Sequence, residues 1–261
     1  MSEQQALSEY LERPLERPEQ AVLDAIGSGP MDPALALERG AADRLLDPAP
    51  MQRETGWCTL SDGVGYVSVR TAMPAVRGEM VDWWFDWHPR DSLRYRVWHP
   101  VAHRGNSLQP PAIPGAKAHW GAVHHPVEDI GLGVVHARIA FHAPSEMGFS
   151  SDALEDENVA TIVCGHAGDD RRRVRHTPML HVFLREGEGV VLRSVFWLGA
   201  ALRPYGPLGV AGEQVLNHRF VRARMLPPAV PRALATHCAE EYANLAVLLP
   251  ELYEQFGPPA S

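Results

Sequence analysis

Near the C-terminus the run His237-Cys-Ala-Glu-Glu241 sets an imidazole four residues ahead of a carboxylate. On a helix this spacing puts both side chains on one face, about one turn apart, where a single metal ion can take both. Without a metal, the same pair is an ordinary helix-surface contact contributing a few tenths of a kcal/mol. Glu240 points about 100° away from Glu241 around the helix and reads as solvated. A second group, Tyr95-Arg-Val-Trp-His99-Pro-Val-Ala-His103, offers a tyrosine and two histidines. Either histidine can bind metal, and either can equally be a buried structural residue bonded to a carbonyl. In a third group, His124-His125-Pro-Val-Glu128-Asp129-Ile130-Gly131, adjacent carboxylates precede a strand-like run. Glu128 or Asp129 would complete a site there, or both belong to a polar turn.

Neutral imidazoles and carboxylates suit zinc and ferrous iron, with zinc favoured for hydrolysis. Cys58, Cys164 and Cys238 are scattered and odd in number, which speaks against a thiolate site and against a disulfide framework. The sequence has no Gly-rich phosphate loop and no GxSxG elbow. Metal-activated water is the remaining route to catalysis.

The elements that must position these groups read as an α+β fold. Residues 1–50 form an expected N-terminal helical arm, with a helix over Pro33–Leu46 capped by Asp32, although Gly40 weakens it. Residues 51–261 form the expected main domain. Cys58–Val69 is β-prone around Gly63 and Gly65, and Met80–Trp87 reads as a short helix. The Pro-rich stretch 104–118 reads as a loop. Gly133–Ala143, Asn158–Gly165, Thr177–Glu186 and Gly189–Leu198 read as strands, the last two as a hairpin. Ala233–Phe256 reads as a long helix that Pro250 should end or kink. The result is a curved antiparallel sheet packed around a long C-terminal helix.

The bulk composition narrows the function further. With 45% hydrophobic and 21% charged residues in 261, the chain can bury a sizeable core. A net charge of −8 argues against nucleic-acid binding, and Arg171–Arg173 with Arg175 read as a solvated loop beside Asp169 and Asp170. No apolar run approaches the roughly 18 residues of a membrane span, and the polar start lacks signal-peptide features, so a cytoplasmic location is expected. The arm's apolar stripe, placed outside the expected core, suggests a homodimer.

Taken together, VDWWFDWHPRDSLRYRVWHPVAH (81–103), VEDIG (127–131), RSVFWLG (193–199) and HCAEEYANL (237–245) resemble the phloretin hydrolase and diacetylphloroglucinol hydrolase family over about residues 55–256. The resemblance implies a Bet v 1-like helix-grip fold and a zinc ion held by His103, Glu128, His237 and Glu241. His103 is taken over His99 as the second histidine of the WHPxxH-like stretch, and Glu128 over Asp129 because it lies three before the glycine. The family's pocket residues correspond to Tyr95, Asn106 and His181. The implied reaction hydrolyses the carbon–carbon bond between a polyhydroxylated ring and its acyl group in a small aromatic ketone. In it, zinc would act on the ketone or on water, and His181, as an imidazole titrating near working pH, would transfer the proton. Tyr95 and Asn106 would bond ring hydroxyls or the developing oxyanion. Trp83, Trp84, Trp87, Trp98 and Trp197 would line or support the pocket, and Asp82 and His99 would orient ligands. Two departures leave the exact substrate open: the 103–128 segment is short for the family, and Phe196 stands where better-known members place a tyrosine. The competing functions are a helix-grip carrier of a hydrophobic ligand and a ferrous oxygenase with two histidines and one carboxylate.

Overall fold

The computed structural model describes residues 2–113, 116–205, 213 and 217–259. Its strands are β1 Gly56–Thr59, β2 Gly65–Met73, β3 His103–Gly105, β4 Leu108–Gln109, β5 Val123–His124, β6 Val127–Asp129, β7 Val134–His142, β8 Val159–Asp169, β9 Val174–Glu186, β10 Gly189–Leu198 and β11 Arg203–Pro204. The helices are α1 Glu3–Leu11, α2 Gln20–Gly27, α3 Gly78–Trp87, α4 Ser92–Trp98, α5 Ser151–Leu154, α6 Arg219–Met225 and α7 Ala229–Phe256. The sheet runs β1-β2-β10-β9-β8-β7-β5-β4, with β6 also on β7, β3 on β6 and β11 on β9. Neighbouring strands pair antiparallel.

Local chemistry explains the frame. The β9–β10 hairpin turns at Gly187, whose φ of +61° suits the first position of a tight two-residue turn. Register shifts at Val159/Thr161 and Ala167/Gly168 mark bulges in β8, the device by which long strands bend. Side chains alternate along β9 and β10. Met179, Phe183, Leu192 and Phe196 join the core shared with α7, while Leu180, Val182, Val195 and Trp197 join a second core on the other face. The buried stripe of α7, Ala235, Cys238, Ala239, Tyr242, Leu245, Leu249 and Leu252, has the helical period. The α+β architecture of a curved antiparallel sheet around a long C-terminal helix is therefore as expected.

Several elements differ from the sequence reading. α7 begins at Ala229 and continues through Pro250 to Phe256. Its last turns are held by Tyr253 edge-on to Trp83 and by Phe256 stacked on Trp87, so tertiary packing overrides the proline. The expected helix Pro33–Leu46 is two 3₁₀ turns, Pro33–Leu35 and Ala42–Leu45, with Gly40 between them at a φ of +93°. The Asp32 cap does form, accepting a hydrogen bond from the Ala34 amide. Among its described residues the Pro-rich 104–118 stretch is irregular apart from the end of β3 and the whole of β4, and Pro114 and Gly115 lie outside the described residues. The arm's helices are α1 and α2, and their Leu7, Tyr10 and Ile26 belong to the chain's own main core. The apolar stripe that suggested a homodimer is thus used within one chain. Cys58, Cys164 and Cys238 are unpaired and buried. No described helix is long and apolar enough to cross a membrane.

Candidate metal centre

The His237/Glu241 pair sits on α7 as the spacing requires, with Nε2 to Oε2 3.7 Å. Trp98 Nε1 donates to the Glu241 carbonyl at 2.9 Å, and Asn244 Nδ2 donates to the Trp98 carbonyl at 2.8 Å. These bonds pin α4 against α7. Past α4, capped by Asp91, a turn closed by His103 N donating to His99 O leads into β3. His103 and Glu128 then face each other as register partners across β3 and β6. His103 Nε2 lies 3.8 Å from Glu128 Oε2 and 3.6 Å from Glu241 Oε2, and His237 Nε2 lies 4.0 Å from Glu128 Oε2. Donor atoms of His103, His237 and Glu241 are all within 4.8 Å of one another.

The electrostatics of this cluster fit a cation. Burial holds His103 and His237 down to about 4 and pushes Glu241 up to about 7. The histidines are therefore neutral at working pH, and their contacts with the carboxylates are not ion pairs. His103 Nδ1 lies 3.0 Å from the Tyr95 carbonyl, which fixes the proton on Nδ1 and leaves the Nε2 lone pair facing the cluster. That buried Nε2 has no hydrogen-bond partner among the described residues. The His103 lone pair, the neutral His237 imidazole and two carboxylates gathered in a low-dielectric pocket suit a divalent ion with nitrogen and oxygen ligands. Tetrahedral zinc with bonds of about 2.0–2.2 Å would span donor edges of about 3.3–3.6 Å, close to the 3.6 and 3.7 Å that separate His103 and His237 from Glu241; Glu128, at 3.8 and 4.0 Å from the two histidines, lies outside the compact three-donor set.

The alternatives that spacing left open have other partners in the structure. Asp129 Oδ1 accepts from Gly131 N and Gly133 N, both at 2.9 Å, and so caps a turn. His99 Nδ1 accepts from Ala102 N, while its Nε2 is 3.5 Å from Glu240 Oε2, so Glu240 is not purely solvated. The His99 ring stacks on that of His237 at 5.3 Å without bonding it. Asp82 does not orient a ligand: it pairs with Lys117 at 2.9 Å and accepts from the Thr161 hydroxyl.

A cavity of about 480 Å³ opens onto this cluster, lined by Tyr95, Trp98, Asn106, Glu128, His181, Phe196, His237 and Glu241 among others. Tyr95 stacks face to face on His103 at 4.0 Å, and its hydroxyl donates to Glu128 Oε2. That hydroxyl is engaged with a site carboxylate, not free for a ring hydroxyl as expected. The Asn106 amide is buried with neither Nδ2 nor Oδ1 partnered among the described residues. His181 Nδ1 is 2.8 Å from Ser194 Oγ, and burial holds the imidazole down to about 3. It is neutral at working pH, not poised near neutrality as the sequence suggested. Of the expected tryptophans, Trp98 lines the cavity, Trp84 supports it from the core, and Trp197 lies across the sheet. Sequence reasoning missed His88, Phe85, Phe141 and Tyr242, which also line it.

Buried neutral histidines make an acid-stability prediction. His119 is held to about 4, and His124 and His181 to about 3, by desolvation. An unfolded histidine titrates near 6.5, so below that pH the unfolded chain binds more protons than the native one. Each group's contribution is present in full above pH 6.5 and is lost at about 1.4 kcal/mol per pH unit as pH falls towards 3–4. Urea midpoints of the protein should therefore be flat above pH 7 and fall steeply between pH 6.5 and 5. A midpoint unchanged over that window would contradict the burial.

The DAPG hydrolase PhiG domain model matches residues 37–254. The chain is 31% identical to phloretin hydrolase from Eubacterium ramulus over 207 residues, covering 77% of this chain and 71% of the relative. It is 28% identical to 2,4-diacetylphloroglucinol hydrolase from Pseudomonas protegens over 228 residues, covering 84% and 74%. Among solved structures, the Zhui aromatase/cyclase from Streptomyces sp. R1128 aligns with a TM-score of 0.42 at 13% identity, covering 75% of this chain and 98% of that one.

Proposed function

Because the chain belongs to the DAPG hydrolase PhiG domain family, we propose that it is a zinc-dependent hydrolase of aromatic ketones. It splits the carbon–carbon bond between a polyhydroxylated ring and its acyl group, releasing a phenol and a carboxylic acid. The observation that carries this reading is the convergence of His103, Glu128, His237 and Glu241, with an unpartnered lone pair on His103, at the wall of a cavity sized for one aromatic ring and its substituent. The names of the relatives, hydrolases of phloretin and of 2,4-diacetylphloroglucinol, agree with that substrate class.

The four residues would hold the ion, which when bound supplies Lewis acidity to the acyl carbonyl and to water. Glu128 lies slightly farther from the histidines than Glu241 does and is the donor placed to yield room for substrate. In the reaction the acyl-bearing ring carbon takes up a proton, and water adds to the acyl carbon. The carbon–carbon bond then breaks with its electron pair passing to the ring, which leaves as the phenolate. His181, anchored on Ser194, moves the proton. Neutral at rest, it takes the proton from a ring hydroxyl and, once charged in an apolar wall, gives it up readily to the acyl-bearing ring carbon, leaving that ring oxygen as a ketone until the carbon–carbon bond breaks. The free Asn106 amide is placed to bond a ring hydroxyl or the developing oxyanion. Tyr95 acts through Glu128, fixing the carboxylate that faces both histidines.

Tyr95→Phe removes that hydroxyl while keeping the ring stacked on His103. Zinc affinity, measured by competition with a chromophoric chelator, should fall about 10- to 100-fold, the usual effect of losing a group that orients a ligand. Unchanged affinity would detach Tyr95 from the site. The reaction itself is tested by anaerobic incubation with an acylphloroglucinol. One phenol and one carboxylic acid should form per ketone consumed. A strict need for oxygen would instead make the two histidines and a carboxylate an iron oxygenase site.

A further inference from the structure

Beyond Tyr95 the same cavity continues past a second pair of histidines that plays no part in the chemistry above. His88 and His124 both line it, with ring centroids 5.5 Å apart. A run of ring contacts joins them to the metal cluster. His103 stacks on Tyr95 at 4.0 Å, Tyr95 on His88 at 6.0 Å, and His88 meets His124 edge-on. Both are almost completely buried, at 1% and 3% exposure. His88 Nδ1 donates to the Trp84 carbonyl at 2.7 Å, so its Nε2 carries a lone pair. His124 Nε2 is buried with no hydrogen-bond partner among the described residues. The walls around the pair are aromatic: Phe85 contacts His88 at 5.4 Å, and Phe141 contacts His124 at 4.5 Å.

An unpartnered ring nitrogen in so apolar a place costs free energy unless something that enters the cavity bonds it. A neutral imidazole offers one N–H and one lone pair, the complement of a phenolic hydroxyl, which also both gives and accepts a hydrogen bond. Burial keeps both histidines in that neutral form. With the acyl carbonyl turned to the metal cluster, a ring held in this cavity, which Trp98, Phe85 and Phe141 also line, would extend its far edge towards the histidine pair. We propose that His124, supported by His88, forms a recognition subsite for a ring hydroxyl on the side of the ring remote from the acyl group. The subsite rests on the phenolic-ketone reading above and narrows it to ketones whose ring carries such a hydroxyl. His124 is then a specificity residue that separates polyhydroxylated rings from less hydroxylated ones.

The test is equilibrium binding of phloroglucinol and of resorcinol, which lacks one hydroxyl, to zinc-supplemented protein, read by quenching of tryptophan fluorescence. The wild type should prefer phloroglucinol about tenfold, the value of one buried hydrogen bond. His124→Phe should bring that ratio close to one with zinc content unchanged, and His124→Asn, which keeps a hydrogen-bonding group, should restore part of it. Because the two ligands are compared on one preparation, a general loss of affinity leaves the ratio readable. A wild-type ratio near one, or a preference that survives in His124→Phe, overturns the subsite. Failure of the same wild-type protein to hydrolyse any acylphloroglucinol, with the binding preference intact and dependent on His124, would remove the reaction assigned above and support the subsite.

Discussion

His237→Ala should lose both its metal and its activity. His237 supplies one of two neutral nitrogens at the cluster, and its Nε2 is the one donor set on α7 together with Glu241. Removing it leaves two carboxylates facing a single imidazole. Zinc held by the remaining three groups would be weaker and exposed to exchange, and the Lewis acidity of a catalytic metal is worth several kcal/mol. Hydrolysis should therefore fall by about three powers of ten or more, and zinc per chain should drop towards zero after dialysis. The fold should survive, because His237 lies on the cavity side of α7 while Ala235, Cys238, Leu245 and Leu249 hold the helix to the sheet. Zinc retained at the wild-type level in the variant would place the metal elsewhere.

The second large effect is expected at His181, and its signature differs. His181→Gln keeps a hydrogen-bonding group near Ser194 but cannot carry a proton. The rate should fall about 10²- to 10⁴-fold, the usual contribution of general acid–base catalysis, with zinc content unchanged and KM altered little. His181 touches none of the four clustered donors in any hydrogen bond or ring contact. Its ring neighbours are Phe196 at 5.3 Å and Tyr242 at 5.1 Å. Loss of metal in this variant, or a rate within a few-fold of the wild type, would assign the proton transfer to another group.

Much of this site was legible in sequence, for identifiable reasons. The four-residue spacing of His237 and Glu241 has one geometric meaning on a helix, and the helix is present. Asp129 carried its own signal, since an aspartate followed by two glycines suits a turn cap, and its Oδ1 caps Gly131 and Gly133. The pairing of His103 with Glu128 was not legible from spacing, because it depends on the register of two three-residue strands that no local pattern specifies. There the family resemblance supplied what periodicity lacked. His88 and His124 were passed over for a related reason. His88 sits among aromatic residues and His124 beside His125 and Pro126 in sequence, and only the meeting of α3's end with β5 brings them to one cavity. In the arm, Pro33–Leu46 has helix-compatible residues on both sides of Gly40. Leu45 and Leu46 are nonetheless drawn flat against the outer face of the sheet, which a continuous helix would not allow.

Zinc dependence is read by adding the metal back to chelator-stripped protein, with bound metal and acylphloroglucinol hydrolysis followed on the same samples. Activity rising in proportion to bound zinc and levelling at about one ion per chain is the predicted result. Hydrolysis at full rate in the stripped protein would contradict a metal-dependent mechanism. Zinc-free protein that binds the ketone tightly and never cleaves it, with or without added metal, would make the chain a carrier of aromatic ligands.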